Sequence, residues 1–283
     1  MTSQRRTIGD GWGILAAVMV LLAGLGAGTE APVQDASPRA ETWQCPPCGC
    51  ASDGQTFEAA GACPSCGMAM VATSSLGKTI TPRNVAIVIW DGAELLDFAG
   101  PTEVFSAARS GGQHLFNVYT VAATTDPIVS QGVVTIVPQY SIADCPQPDI
   151  FVLPGGGTNS PLNNPEMIEW VRHSAAQADV AMSVCTGAFV LLKAGLLEGK
   201  EATTWHGAIG RLREAATNTV VHDDQRWVDN GAVLTTAGVS AGIDGALHLV
   251  ARLHGDQAAR DTARYMEYDW RPKEVTGRIV RAP

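Results

Sequence analysis

Basic residues are scarce in this chain. Lys and Arg number 19 against 28 Asp and Glu, giving a formal net charge of −9 and a sequence pI near 5.1. That balance excludes an ordinary nucleic-acid surface, which needs a basic patch to replace the counterions on phosphates. Charge of either sign is thin, at 17% of residues, and aromatics make up 6%. Long low-complexity tracts are missing, and 46% apolar residues in 283 fit a globular protein of one or two domains. Cysteine is nearly missing from most of the chain. Five of the seven lie between Cys45 and Cys66, which leaves Cys145 and Cys185 for the long remainder. This excludes a disulfide framework spread across a fold. Around Cys185 the chain does not read Gly-x-Ser-x-Gly, the serine form of the strand-to-helix nucleophile turn.

Residues 11–29 carry no charge, and within them residues 14–25 are almost wholly apolar, after a start that holds Arg5 and Arg6. The pattern predicts an N-terminal apolar helix over residues 1–28, either a signal peptide or a membrane anchor. Gly26-Ala27-Gly28 supplies the small residues a signal peptidase needs, and no cysteine directly follows the run, which argues against a lipoprotein anchor. The expected location is therefore outside the cytoplasmic membrane, in the periplasm or held at the membrane facing outward. Residues 29–42, with prolines and no hydrophobic period, read as a linker.

Residues 43–70 hold two Cys-x-x-Cys pairs, Cys45 with Cys48 and Cys63 with Cys66, and fourteen residues separate Cys48 from Cys63. Each pair can offer two thiolates to one ion, and the spacing is close to that of zinc ribbons. Tetrahedral zinc on Cys45, Cys48, Cys63 and Cys66 is the expectation, with Cys50 left over. So short a segment has no core of its own, so a metal would supply its folding energy. Disulfides in an oxidising compartment, or a redox role, are the alternatives. The second half of the segment resembles the short heavy-metal-binding module of efflux proteins, although Pro47 and Cys48 depart from that module's first half. Residues 71–83 read as a second linker.

From Asn84 the chain alternates short apolar runs with helix-length amphipathic ones. Strands are expected at residues 85–90, 116–122, 133–137, 150–153 and 180–184, and helices at residues 101–108 and 165–176. Continuous apolar strands alternating with helices predict a mainly parallel sheet covered on both faces. Sites in such sheets lie beyond the carboxyl ends of the strands. Three loops meet there: the one after Trp90, the one after Leu153, and the turn at Cys185.

Each loop carries a group suited to thiol chemistry. Cys185 opens a strand-to-helix turn, where the amides of Thr186 and Gly187 and the helix dipole would lower a thiol pKa. The alternative at this position is a buried structural cysteine. Asp97, with Glu94 nearby, can move a proton once burial has raised its pKa. The glycines of 154–157 can bring backbone N–H groups close to an oxyanion. His206, some twenty residues past the thiol, is a further candidate.

Taken together, these motifs resemble the PfpI-like branch of the class I glutamine amidotransferase-like superfamily. The resemblance rests on Leu96-Asp97-Phe-Ala-Gly-Pro101, Leu153-Pro-Gly-Gly156, Ser183-Val-Cys-Thr-Gly187 and Ala237-Gly-Val-Ser-Ala-Gly-Ile-Asp244. Val-Cys-Thr-Gly with Leu-Asp-x-x-Gly-Pro looks most like isonitrile hydratases and the sensor domains of AraC-type regulators. The resemblance implies a flavodoxin-like α/β sandwich over residues 84–275, with Cys185 as nucleophile and Asp97 as its carboxylate. Thr186 would contribute its N–H and hydroxyl, and Gly156 with Gly187 would serve the oxyanion and the substrate. It also implies a homodimer that acts on a small molecule and needs no cofactor in this domain. Where the family often reads Thr-Thr-His-Trp, this chain has Thr203-Thr204-Trp205-His206, which shifts the imidazole by one residue. Asp244 and Cys145 are expected to be structural. The expected activity is a cysteine-dependent hydratase or hydrolase; the alternatives are a ligand or redox sensor, or a metal-handling protein using the domain as a scaffold.

Overall fold

The computed structural model describes residues 41–45, 50–75 and 80–280. The expected apolar helix of residues 1–28, most of the first linker and Cys48 lie outside them. Among the described residues, no helix is long and apolar enough to cross a membrane.

The large domain is built on eight strands: β1 (Arg83–Val88), β2 (Phe116–Ala122), β3 (Tyr140–Ser141), β4 (Ile150–Leu153), β5 (Val180–Val184), β6 (Trp227–Asp229), β7 (Val233–Thr236) and β8 (Gly277–Ile279). Their spatial order is β3-β2-β1-β4-β5-β7-β6-β8. Every neighbouring pair is parallel except β6 with β7. Every residue of β4 and β5 is buried, as a central strand covered on both faces requires.

The alternation of side chains tells the two faces apart. Phe151 of β4 meets Trp170 of helix α2 (Pro165–Ala175), ring centroids 5.7 Å apart, on one face. On the other face, Val184 of β5 lies under Gly242 and Met182 under Gly245, both in helix α4 (Ala241–His254). Helix α1 (Leu95–Ala107) packs beside α4, with Gly100 against Ile243. Phe105, Phe151, Ile87, Ile89 and Met182 are among the largest fully buried side chains. Burying each stabilises the fold by about 1.5–3 kcal/mol.

Two expectations need correction. The helix read at residues 101–108 begins at Leu95, and Pro101 lies inside it rather than at its start. The missing N–H of Pro101 is tolerated, and the next residue's hydroxyl, Thr102 Oγ1, bonds back to the Phe98 carbonyl at 2.6 Å. The strand read at residues 133–137 is Val134–Ile136, and it pairs antiparallel with Ile128–Ser130 in a hairpin outside the main sheet.

The cysteine-rich segment is a three-stranded antiparallel sheet in which Trp43–Gln44 lies between Thr56–Phe57 and Val71–Ala72. Part of the stretch read as a second linker, Val71–Ala72, thus forms one edge of this small sheet.

Candidate functional site

At the carboxyl end of β5 the chain turns through Cys185–Gly187 into helix α3 (Ala188–Lys193). Cys185 takes φ +57, left-handed backbone that a residue with a Cβ rarely adopts. Such strain costs about 1–3 kcal/mol and persists where the surroundings enforce it. Here the Cys185 N–H donates to the Ala237 carbonyl at 3.0 Å. Its own carbonyl accepts from Thr204 Oγ1 at 2.6 Å. Gly187 comes so close to β4 that a Cβ on it would lie 2.1 Å from the Leu153 oxygen. The turn is clamped on both sides, and Cys185 is 7% exposed.

Asp97, in the first turn of α1, is fully buried. Its Oδ2 accepts the N–H of Gly155 at 2.7 Å and its Oδ1 the N–H of Val239 at 3.0 Å. The Cys185 thiol lies near enough to this carboxyl for each to act on the other's pKa. Strand β1, strand β4 and the loop after β7 therefore all deliver groups to one point, as the parallel sheet predicts.

The glycine loop works differently from expectation. The N–H of Gly155 holds Asp97, and the N–H of Gly156 donates to Thr186 Oγ1 at 3.1 Å. Both amides are spent on the site's own residues, so Gly156 serves as a support for Thr186 and its N–H is not open to an oxyanion. Gly156 sits at φ +91 against Gly92 and Glu94, where a Cβ would lie 2.5 Å from backbone atoms. The groups that favour the thiolate are the Thr186 amide and hydroxyl.

His206 is exposed, and its ring lies 4.8 Å from that of Trp205. The groups that act on the Cys185 sulfur are Asp97 and Thr186. Trp205 holds the place nearer the site, since its indole lies against Gly238, next to Val239.

The expected low pKa of Cys185 is overturned. Burial pushes the thiol up to about 12, and the Asp97 carboxylate adds to this against the opposing Thr186 amide and hydroxyl. Burial also raises Asp97 to about 6; the N–H of Gly155 holds it down, and the charge of Glu94 adds to the rise. Between about pH 6 and 12 the pair is therefore a carboxylate beside a protonated thiol. The three-residue turn contributes too few amides to outweigh burial beside an anion.

Sequence reasoning missed Val239, Thr204 and Gln131. Gln131 accepts the Leu95 N–H at 3.2 Å and donates to Glu94 at 2.6 Å, tying the hairpin to the start of α1. Its signal was the Gln131-Gly132 turn, both residues at positive φ. Asp244 is buried and paired with Arg226 and Tyr268, and Cys145 is a half-buried thiol raised by burial; both match the structural roles expected. A surface cavity of about 590 Å³ lined by Asn84, His114, Phe116 and Asn117 lies at the amino ends of the strands, away from Cys185. Convergent chemistry, more than cavity size, identifies the site.

In the small sheet, the sulfurs of Cys45, Cys50, Cys63 and Cys66 all lie within 4.8 Å of one another. Cys45 is 3.7 Å from Cys50 and 3.6 Å from Cys66, and Cys50 is 3.8 Å from Cys63. A zinc–sulfur bond of about 2.3 Å gives a tetrahedron with edges of about 3.8 Å, so the four thiols fit the ion. Cys50, read as left over, belongs to the cluster. Burial raises the Cys63 thiol, but the Ser65 and Cys66 amides and the neighbouring thiols outweigh it and bring it down to about 6. These four thiols could hold a metal, and their spacing is compatible with zinc.

Comparison with known proteins agrees with the geometry. The DJ-1/PfpI family matches residues 83–252. Isonitrile hydratase of Pseudomonas putida is 34% identical over 200 residues, spanning 70% of this chain and 84% of that protein. Protein DJ-1alpha of Drosophila melanogaster is 25% identical over 197 residues, 67% of this chain and 86% of that one. Among solved structures, a THiJ/PfpI family protein from Pseudomonas syringae superposes with a TM-score of 0.61 at 28% identity, covering 69% of this chain and 78% of that one.

Proposed function

We propose that this chain, which belongs to the DJ-1/PfpI family, is a cysteine-dependent hydratase or hydrolase of a small molecule, with isocyanide hydration to an N-substituted formamide as its leading reaction. The observation that carries this reading is the buried Asp97 carboxyl, held by the Gly155 and Val239 amides and acting on the Cys185 thiol at a strained strand-to-helix turn. Its likeness to isonitrile hydratase supports the choice of substrate.

The chemistry follows from a carboxylate set beside a protonated thiol. Asp97 takes the proton of Cys185 as the sulfur attacks the terminal isocyanide carbon, and then returns it to that carbon, forming a thioformimidate. Water adds to the same carbon. The C–S bond then breaks, the electron pair and a proton return to sulfur, and the formamide leaves. The net change is addition of one water, with no oxidant or reductant. The Thr186 amide favours negative charge on the sulfur as it attacks. An oxidation sensor would want an exposed thiolate, and Cys185 is a buried thiol held protonated beside an anion.

The same proposal includes zinc on Cys45, Cys50, Cys63 and Cys66 as a structural ion, a homodimer, and export directed by the uncharged run of residues 11–29. Recovery of the native protein in the cytosol with Met1 intact would sink the export. For the activity, the full chain and its Cys185→Ser variant are assayed against isocyanides, glyoxals, esters and amides. Turnover of an isocyanide that disappears in Cys185→Ser supports the reading. Turnover that survives the substitution, or none of any of these substrates, overturns it.

A further inference from the structure

Trp205 is a large aromatic side chain left 37% exposed. Gly207 and Gly238 lie against the indole and leave it room that a Cβ at either position would take. A Cβ on Gly238 would lie 2.5 Å from the indole Cδ1, and one on Gly207 would lie 2.5 Å from Cζ3. The Trp205 carbonyl accepts the Ala208 N–H at 2.7 Å, which locks the backbone of the following turn.

That seat is continuous with both reacting groups. Thr204, the preceding residue, donates its hydroxyl to the Cys185 carbonyl at 2.6 Å. Ala237, just before Gly238, accepts the Cys185 N–H at 3.0 Å. Val239, just after it, donates to Asp97 at 3.0 Å. The indole therefore sits on backbone that is hydrogen-bonded to both Cys185 and Asp97, with part of its surface open to solvent. A flat apolar surface held so close to a nucleophile is a stacking platform.

We infer that the Trp205 indole is the wall against which the substrate's organic group stacks, so that the site selects electrophiles carrying an aromatic ring. This rests on Cys185 being the reacting thiol, as proposed above, and it names the substrate class of that site. The His206 ring lies 4.8 Å from the indole, beside the platform.

The test reads alkylation of Cys185 rather than turnover. The full chain, Trp205→Ala and Trp205→Phe are treated with N-phenylmaleimide and N-ethylmaleimide, and the rate at Cys185 is followed by peptide mass spectrometry. Dividing each phenyl-to-ethyl ratio by that of glutathione removes the intrinsic difference between the reagents. The normalised ratio is expected to be roughly threefold to tenfold in the wild type. It should fall to near one in Trp205→Ala and be largely kept in Trp205→Phe, which also guards against misfolding of the alanine variant. A wild-type ratio near one, or a ratio unchanged in Trp205→Ala, overturns the inference while leaving Cys185 as the reactive thiol. A Cys185 that reacts with neither reagent while Cys145 does overturns both this inference and the reading beneath it.

Discussion

Val239, at φ +55, donates its backbone N–H to Asp97 Oδ1 at 3.0 Å across 142 residues of sequence. The bond ties the loop after β7 to the first helix, and with the Gly155 N–H it holds a buried carboxylate beside a thiol. Asp97→Asn keeps the shape and removes the charge. Turnover should fall by about a hundredfold or more, the usual cost of losing a general base. Alkylation of Cys185 at pH 8 should instead become faster, because the carboxylate is among the groups that hold the thiol protonated. Slower alkylation would mean that Asp97 promotes the thiolate, contrary to this account.

The same carboxyl sets a pH dependence of stability. Its folded pKa of about 6 lies above the ordinary 3.8, so the folded state favours the protonated form. Its contribution is full below pH ~4 and is lost as pH rises through about 6, by up to about 3 kcal/mol. Urea unfolding of wild type and Asp97→Asn at pH 4 and pH 8 should show the wild type losing stability relative to the variant over that interval. A constant difference between the two would remove the argument from burial.

Gly187→Ala should destabilise the chain by about 2 kcal/mol or more, since its Cβ would lie 2.1 Å from a β4 carbonyl in a packed core. Gly199→Ala is the control for open space: nothing lies within 4 Å of its Cβ, though φ +65 makes it cost about 1 kcal/mol. Thermal melts of equal height for both would contradict the close approach.

Elemental analysis of protein purified without a chelating tag should find about one zinc per chain. Cys50→Ser should lose most of it, because Cys50 is one of four clustered thiols. Absence of metal together with two intact disulfides in the segment would replace zinc with the covalent alternative.

Much of this site was legible in the sequence because its signals are local. The apolar runs at 150–153 and 180–184 are strands with the expected bounds, and the turn at Cys185 follows from a strand meeting a small-residue helix start. Asp97 was legible as an acid at a helix entry. The unread parts depend on contacts distant in sequence. Pro101 looked like a helix start because nothing in sequence shows Thr102 bonding back to Phe98. The glycine amides looked free because their partners, Asp97 and Thr186, lie 58 and 30 residues away. Cys50 was set aside because spacing describes pairs along the chain, whereas a tetrahedron is chosen by distances in space. The thiol pKa failed for a related reason: a helix start is visible in sequence, but full burial beside a carboxylate is not.

The central claim is that a protonated Cys185 attacks with Asp97 as its base, and the pH profile of kcat/KM for an isocyanide tests it most directly. The account predicts a rate that rises as Asp97 ionises near pH 6 and then stays level through pH 9, far below the thiol's pKa of about 12. In Asp97→Asn that rise near pH 6 should vanish. A wild-type profile that climbs instead between pH 8 and 9, and climbs equally in Asp97→Asn, would show that a preformed thiolate attacks without the carboxylate and would contradict the account.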